Sequence, residues 1–164
     1  YREMERLVDS TDSDVSVEAL YRRDGARLER ALVGAFGSRE LAQDATAEAF
    51  AQLLRRGDEV QQPARWVWTA AFAIARGLAA EATGRSDQPM PDSPVRSAER
   101  DLDVLDALRV LSPMQRQAVV LHHYAGFDLR AIAEITGSTV GALKVHLMRG
   151  RQRMRHQLGD LHDR

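Results

Sequence analysis

The stretch DLRAIAEITGSTVGALKVHLMRGR, Asp128 to Arg151, decides how this chain is read. Its first half is a short helical segment with Ile132, Ala133 and Ile135 on its apolar side. Gly137 stops that segment, because glycine enters the left-handed conformation that closes a helix without steric cost. Ser138 or Thr139 then offers a side-chain oxygen to cap the next helix. Beyond the cap, Val140, Leu143, Leu147, Met154 and Leu158 recur at helical spacing and predict a single buried stripe. A short helix, a glycine-containing turn and a second helix with a hydrophobic angle between them form the helix-turn-helix pattern, whose second helix can lie in a major groove.

The rest of that second helix is basic. Lys144, Arg149, Arg151, Arg153, Arg155 and His156 lie between Val140 and Leu158 with no acid among them. The reading places Lys144, His146 and Arg149 toward the groove, where Arg forks onto guanine O6 and N7 and Lys donates to the same atoms. Arg151, Arg153 and Arg155 face phosphates, which position a helix without reading sequence. Against this stands a simpler account: a solvated terminal helix whose positive charge complements its own dipole.

Bulk composition neither announces nor excludes a nucleic-acid partner. The chain has 164 residues with 23 basic and 24 acidic side chains, a formal net charge of −1. Charge is segregated, however, with Glu99, Asp101, Asp103 and Asp106 preceding the basic segment. Lys144 is the sole lysine; arginine elsewhere reads first as codon bias and not as phosphate binding. There are no cysteines, which removes disulfide frameworks, thiol catalysis and Cys-based zinc sites. No apolar run approaches the ~18 residues of a membrane span, and no signal peptide is visible.

Working outward, two helical blocks flank a poor one. Residues 1–16 read as a loosely ordered lead-in. In 17–83, VEALYRRDGARLERALVGAF predicts one amphipathic helix with Leu20, Leu28, Leu32 and Phe36 inside. Gly37 breaks it, and Ser38 caps a second helix, RELAQDATAEAFAQLLRR. After a loop from Gly57, Pro63 begins a third helix that is apolar nearly all round its middle, hence central. Residues 84–97, GRSDQPMPDSPVRS, hold three prolines and no core material, which predicts a flexible linker. Its fourteen residues reach at most ~45 Å when extended. In 98–164, DLDVLDALRVL forms a helix, Ser112 and Pro113 start another, Ala125-Gly126 ends it, and the helix-turn-helix follows. The expected fold class is therefore all-α: two small helical domains joined by a Pro-containing linker.

With these residues in place, a resemblance becomes specific. LSPMQRQAVVLHHYAGFDLRAIAEITGSTVGALKVHLMRGRQRMRHQL resembles the −35-binding domain of bacterial extracytoplasmic-function (ECF) sigma factors. The family reads roughly L-P-x-x-x-R, an aliphatic helix, G-x-S-x-x-E-I-A and G-T-V-K-S-R-L-x-R-A-R. Leu111, Pro113, Arg116, Gly126, Ile132, Ala133, Gly141, Lys144, Leu147, Arg149 and Arg151 fit it. Ala142, Val145 and His146 stand where the family has Thr, Ser and Arg, which implies a different base preference. Upstream, ELAQDATAEAFAQLLRR is similar to A-E-D-L-V-Q-E-T-F-x-x-A-W, with Asp44, Glu48 and Phe50 in register. PARWVWTAAFAIARGLAAE is similar to P-x-A-W-L-x-R-I-A-x-N-x-A-x-D through Pro63, Trp66, Ala71 and Ala75.

The resemblance implies a non-enzymatic transcription initiation factor that binds RNA polymerase core and directs it to promoters. It further implies a cytoplasmic location and an anti-sigma factor as a further partner. Asp44 and Glu48 would meet the clamp of the largest polymerase subunit. Thr139, Ala142, Lys144, Val145, His146, Arg149, Arg151 and Arg153 would meet the −35 element. Arg65, Trp66, Thr69 and Arg76 would meet the −10 element, where unpaired bases stack on aromatics or enter pockets. Thr69 and Ala73 replace the family's Arg and Asn, which leaves promoter melting the weakest part of the likeness. Of Trp66 and Trp68, at least one is expected in the core.

Two alternatives remain open at the level of sequence: a sigma-like mimic that only binds an anti-sigma factor, and a stand-alone helix-turn-helix regulator. No phosphate loop, nucleophile elbow or metal-ligand cluster supports an enzyme. Adjacent His122 and His123 splay too far apart on a helix to share a metal, so no metal and no cofactor are expected.

Overall fold

The computed structural model describes residues 16–85 and 99–162, and every regular element among them is helical. The order is α1 (Val17–Phe36), α2 (Arg39–Arg56), a 3₁₀ turn (Gly57–Glu59), α3 (Pro63–Arg85), α4 (Glu99–Arg109), α5 (Pro113–Val119), a π-helical turn (Val120–Tyr124), α6 (Leu129–Thr136) and α7 (Val140–His162).

Local chemistry sets the boundaries. Ser16 caps α1 through Ala19 N at 3.1 Å, and Gly37 closes it at φ 72. Ser38 accepts from Leu41 N at 3.2 Å and starts α2. Ser112 and Gln115 form a reciprocal capping box ahead of Pro113, so α5 begins where the Ser-Pro pair predicts. The predicted helix over MQRQAVVLHHY does not stay α-helical. Its last turn widens, with Ala125 N donating to Val120 O at 3.0 Å, before Gly126 turns the chain at φ 75. Likewise α3 runs two residues beyond Thr83, so Gly84 and Arg85 belong to a helix and not to the linker. The remainder of the linker and the lead-in up to residue 15 lie outside the described residues.

The core follows the apolar stripes. Leu20, Leu28 and Leu32 are fully buried and Phe36 is half-buried, as α1's pattern predicts. The central helix α3 buries Val67, Trp68, Ala71, Phe72 and Ala75, and Phe72 lies between Phe36 and Trp68 with ring centroids 5.8 and 6.3 Å away. In the second block, Leu108, Leu111, Ala118, Leu121, Ile132, Ile135, Leu143 and Leu147 are buried. One contiguous apolar cluster runs through both blocks. The two sequence blocks are thus packed on one another: α1 against α5, and α3 against α6.

Candidate nucleic-acid interface

The helix-turn-helix is built from its caps outward. Asp128 accepts from Ala131 N at 2.8 Å and begins α6. Gly137 ends it at φ 68, and Ser138 N donates back to Ala133 O at 3.1 Å, the double closure of a left-handed helix end. Of the two possible caps for α7, Thr139 is the one used, accepting from Ala142 N at 3.1 Å. The turn is therefore Gly137-Ser138-Thr139. Ile132, Ile135, Leu143 and Leu147 close the angle between the helices.

One member of the predicted stripe departs. Val140 is 37% exposed, because it is the first residue after the cap and precedes the turn that meets α6. Gly150 fills the seven-residue step between Leu147 and Met154 on the buried face. A Cβ there would lie 3.0 Å from Val119 Cγ2, so a side chain at this position would require Val119 to give way.

The predicted −35 residues divide by exposure. Thr139, Lys144, Val145 and Arg149 stand clear of the protein, and Ala142 is half-buried among them. His146 is turned partly inward, its Nδ1 buried and without a protein hydrogen-bond partner. Arg151 donates from Nε to Leu147 O at 3.3 Å. Arg153 leans back toward α5, 3.4 Å from Gln115 Oε1 and 3.5 Å from Val110 O. Met148, absent from the sequence reading, is 50% exposed next to Val145. Together they make an apolar strip of the kind that meets thymine methyl groups. Its signal was the lapse in the apolar period: an exposed Met off the buried stripe.

The four −10 candidates are not brought to one open surface. Arg65, Thr69 and Arg76 share a face of α3, and that face meets the second block. Arg65 pairs with Glu134 at 2.8 Å, and Arg76 donates to Ile135 O at 3.1 Å and lies 3.5 Å from Gln117 Oε1. Burial pushes the Arg76 guanidinium below its ordinary pKa. Thr69 Oγ1 donates within its own helix to Arg65 O at 3.1 Å. Trp66 is half-buried under the Arg56 guanidinium, 5.5 Å from ring centroid to Cζ. Trp68 is the core tryptophan, 2% exposed.

The polymerase-facing candidates lie on α2, one turn apart and both exposed. Glu48 accepts from Gln52 at 3.0 Å and Arg55 at 2.9 Å, and these two bonds, Gln52's first, hold its carboxyl below the usual range. Leu54, 67% exposed on the same solvent side of α2 but about a third of a turn round from Glu48, is an apolar side chain that the sequence reading missed.

Among the described residues, no three His, Asp or Glu side chains stand close enough to hold a metal ion. None of their helices is long and apolar enough to cross a membrane. His122 Nδ1 is instead within 3.0 Å of Phe127 O and fixes the chain after the π turn.

A short helix, a three-residue turn and a basic helix free of acids to Leu158 define a helix-turn-helix DNA-binding protein. Residues 101–154 match the sigma-70 region 4 family. The chain is 28% identical to the RNA polymerase sigma factor CarQ of Myxococcus xanthus across 96% of this chain and 97% of that one. It is 36% identical to the RNA polymerase sigma-E factor of Streptomyces coelicolor over 44% of this chain and 40% of that one. Its fold is similar to the sigma factor RpoE, solved with the anti-sigma factor NepR from Bartonella quintana (TM-score 0.64, 22% identity, covering 80% of this chain and 89% of that one). It is also similar to CnrH, solved with the cytosolic domain of CnrY (TM-score 0.66, 17% identity, covering 94% and 97%). The region 4 match and the sigma-factor relatives support reading the chain as an ECF sigma factor.

Proposed function

We propose that this transcription initiation factor divides its labour between three surfaces. The exposed face of α7, with Lys144, Val145, Met148 and Arg149 reading bases and Thr139 and Ala142 beside them, takes the −35 element. Arg151 and Arg153 at its flank neutralise phosphates, and His146 supports the helix from its inner edge. The solvent side of α2, with Asp44, Glu48 and Leu54, docks on a basic polymerase surface, where acidic complementarity steers association. The α3 face of Arg65, Thr69 and Arg76, with Trp66 at its margin, takes the −10 element. The chain performs no catalysis of its own, acts in the cytoplasm with the polymerase, and is held in reserve by an anti-sigma factor, as RpoE of similar fold is captured with NepR.

The observation that carries this reading is the uncovered, unopposed Lys144 and Arg149 on the second helix of the helix-turn-helix. A mimic that only binds an anti-sigma factor has no use for them. The test compares Lys144→Ala with Arg149→Ala against Asp44→Arg with Glu48→Arg. The first pair is expected to lose promoter-specific transcription while still binding core polymerase. The second pair is expected to lose core binding first. Identical phenotypes in both assays would refute the division.

A further inference from the structure

A cleft of about 610 Å³ opens between α1, the N-terminal part of α3 and the start of α6. Its size is that of sites that hold a small organic molecule. Three guanidiniums, one buried carboxylate and two aromatic rings line it. Arg23 grips the Asp24 carboxylate through Nε and one terminal nitrogen, at 3.0 and 2.9 Å, so the other edge of its guanidinium keeps its donors. Asp24 is 8% exposed and accepts one N–H on each oxygen, which leaves each oxygen able to accept another. Arg65 meets Glu134 through one terminal nitrogen at 2.8 Å, while its Nε is buried without a hydrogen-bond partner. A buried donor with nothing to accept it costs about 1–3 kcal/mol, so an acceptor placed there is favoured. Arg27 donates to Ala125 O, and its guanidinium lies 5.7 Å over the Trp68 ring. Trp68 in turn meets Phe127 edge to face, with centroids 5.0 Å apart. Guanidinium planes and aromatic rings are the surfaces on which a flat base stacks.

The lining charges sort the ligand. Three cations against one carboxylate favour an anion, and guanidiniums are the donors that match phosphate oxygens. Asp24 repels an anion at its own end and instead accepts from N–H groups. A bare phosphate meets the first demand and not the second; an uncharged ring meets the second and not the first. We propose that this cleft binds a free nucleoside phosphate, with its phosphates on Arg23 and Arg65, its base against Arg27 and Phe127, and a base N–H donated to Asp24. The site goes beyond the three surfaces described above. Arg23, Asp24 and Arg27 have no part in them, and Arg65 alone is shared with the −10 face, so the proposal does not rest on that assignment.

The test uses the full chain carrying Trp66→Phe, which leaves Trp68 as its one tryptophan. GDP is the probe, since its base carries N–H donors and its phosphates are short. It should quench Trp68 fluorescence saturably below about 1 mM and raise Tm with concentration. Guanosine and inorganic pyrophosphate, titrated separately, should each bind about tenfold more weakly or worse. Arg23→Ala should weaken GDP about tenfold, the worth of a hydrogen bond to a charged group. Asp24→Asn should weaken GDP while leaving pyrophosphate as tight or tighter, a split that mere loosening of the fold does not produce. Circular dichroism checks that each variant keeps its helices. Arg155→Glu, a charge reversal on α7 outside the cleft, should leave GDP affinity as it was. Single-stranded DNA of random sequence should not displace GDP. The proposal is overturned by any of four results: no saturable quench, pyrophosphate as tight as GDP, a loss from Arg155→Glu as large as that from Arg23→Ala, or displacement by the DNA. The third would mark general attraction to basic helices, and the fourth would give the cleft to a base within a strand.

Discussion

Arg116 and Arg149 are both guanidiniums on helices of the second block, and they do opposite things. Arg116 is half-buried and donates to Leu108 O at 2.9 Å, Leu111 O at 3.2 Å and Arg109 O at 3.4 Å, so it ties the end of α4 to α5. Burial first, and Arg109 second, push its pKa below the ordinary value, the mark of a charge held for structure. Arg116→Ala leaves these carbonyls without their donor and should cost about 1–3 kcal/mol. Thermal unfolding would read this as a lowered Tm, with Arg116→Lys recovering only part, because a single ammonium lacks the planar fork. Arg149 touches solvent only through its exposed side chain and should behave differently. Arg149→Ala is expected to leave Tm nearly unchanged, while discrimination at the base it reads falls by about 1–3 kcal/mol in promoter-DNA titrations. Sequence matched both arginines to the family pattern but could not tell the cap from the reader. Arg116's acceptors are backbone carbonyls at the end of α4 and in the turn after it, and no side-chain pattern records them.

At the scale of elements, the helix-turn-helix was legible almost residue by residue. Its signals are local: Asp128 and Thr139 as caps, Gly137 at the stop, and an apolar period interrupted only by the turn. What escaped is what depends on a neighbour. Gly150 sits on α7 with Val119 of α5 across from it; the stripe through Leu147 and Met154 marks its place but not the closeness of the approach. Gly150→Val should drive α7 off α5 and lower stability by about 1–3 kcal/mol as an overpacked contact. Val119→Ala added to it should restore part of the loss, a non-additivity that two thermal melts and their double variant would reveal. The π turn escaped the reading of MQRQAVVLHHY as one α-helix too. It also sets up a pH response. The His123 imidazole is held below its ordinary pKa, chiefly by burial and then by His122 and Arg151. The unfolded chain therefore takes up its proton first as pH falls. The stability associated with neutral His123 is complete above the ordinary histidine pKa and is lost as pH drops toward the folded value. Melts from about pH 8 down to about pH 5 should show this decline, modest because the ring is partly in water, and His123→Gln should flatten it.

Across the whole molecule, composition and period gave an all-α chain in two blocks, but not their mutual packing. Helical propensity and amphipathic period are properties of one segment, whereas Trp68 on Phe127 and Arg65 on Glu134 join segments whose sequences carry no trace of each other. The same limit hid the state of the −10 candidates, of which Arg65 and Arg76 are found engaged with the second block. The α2 face was read from family register alone, and its carboxylates proved exposed with Leu54 on the same solvent side. If Leu54 anchors docking, Leu54→Asp should weaken core binding about as much as charge reversal at Glu48, without changing the melt, since the side chain is already in water.

The central claim is that this chain directs polymerase to promoters, and transcription measures it most directly. Purified bacterial core polymerase would be supplied with promoter fragments pooled from the chain's own genome, with and without the protein. Discrete new transcripts sharing an upstream element are predicted, and they should vanish with Lys144→Ala and Arg149→Ala together. Stable binding to core with no transcript from any fragment, or neither binding nor transcript, would contradict the claim and leave a sigma-like mimic in its place.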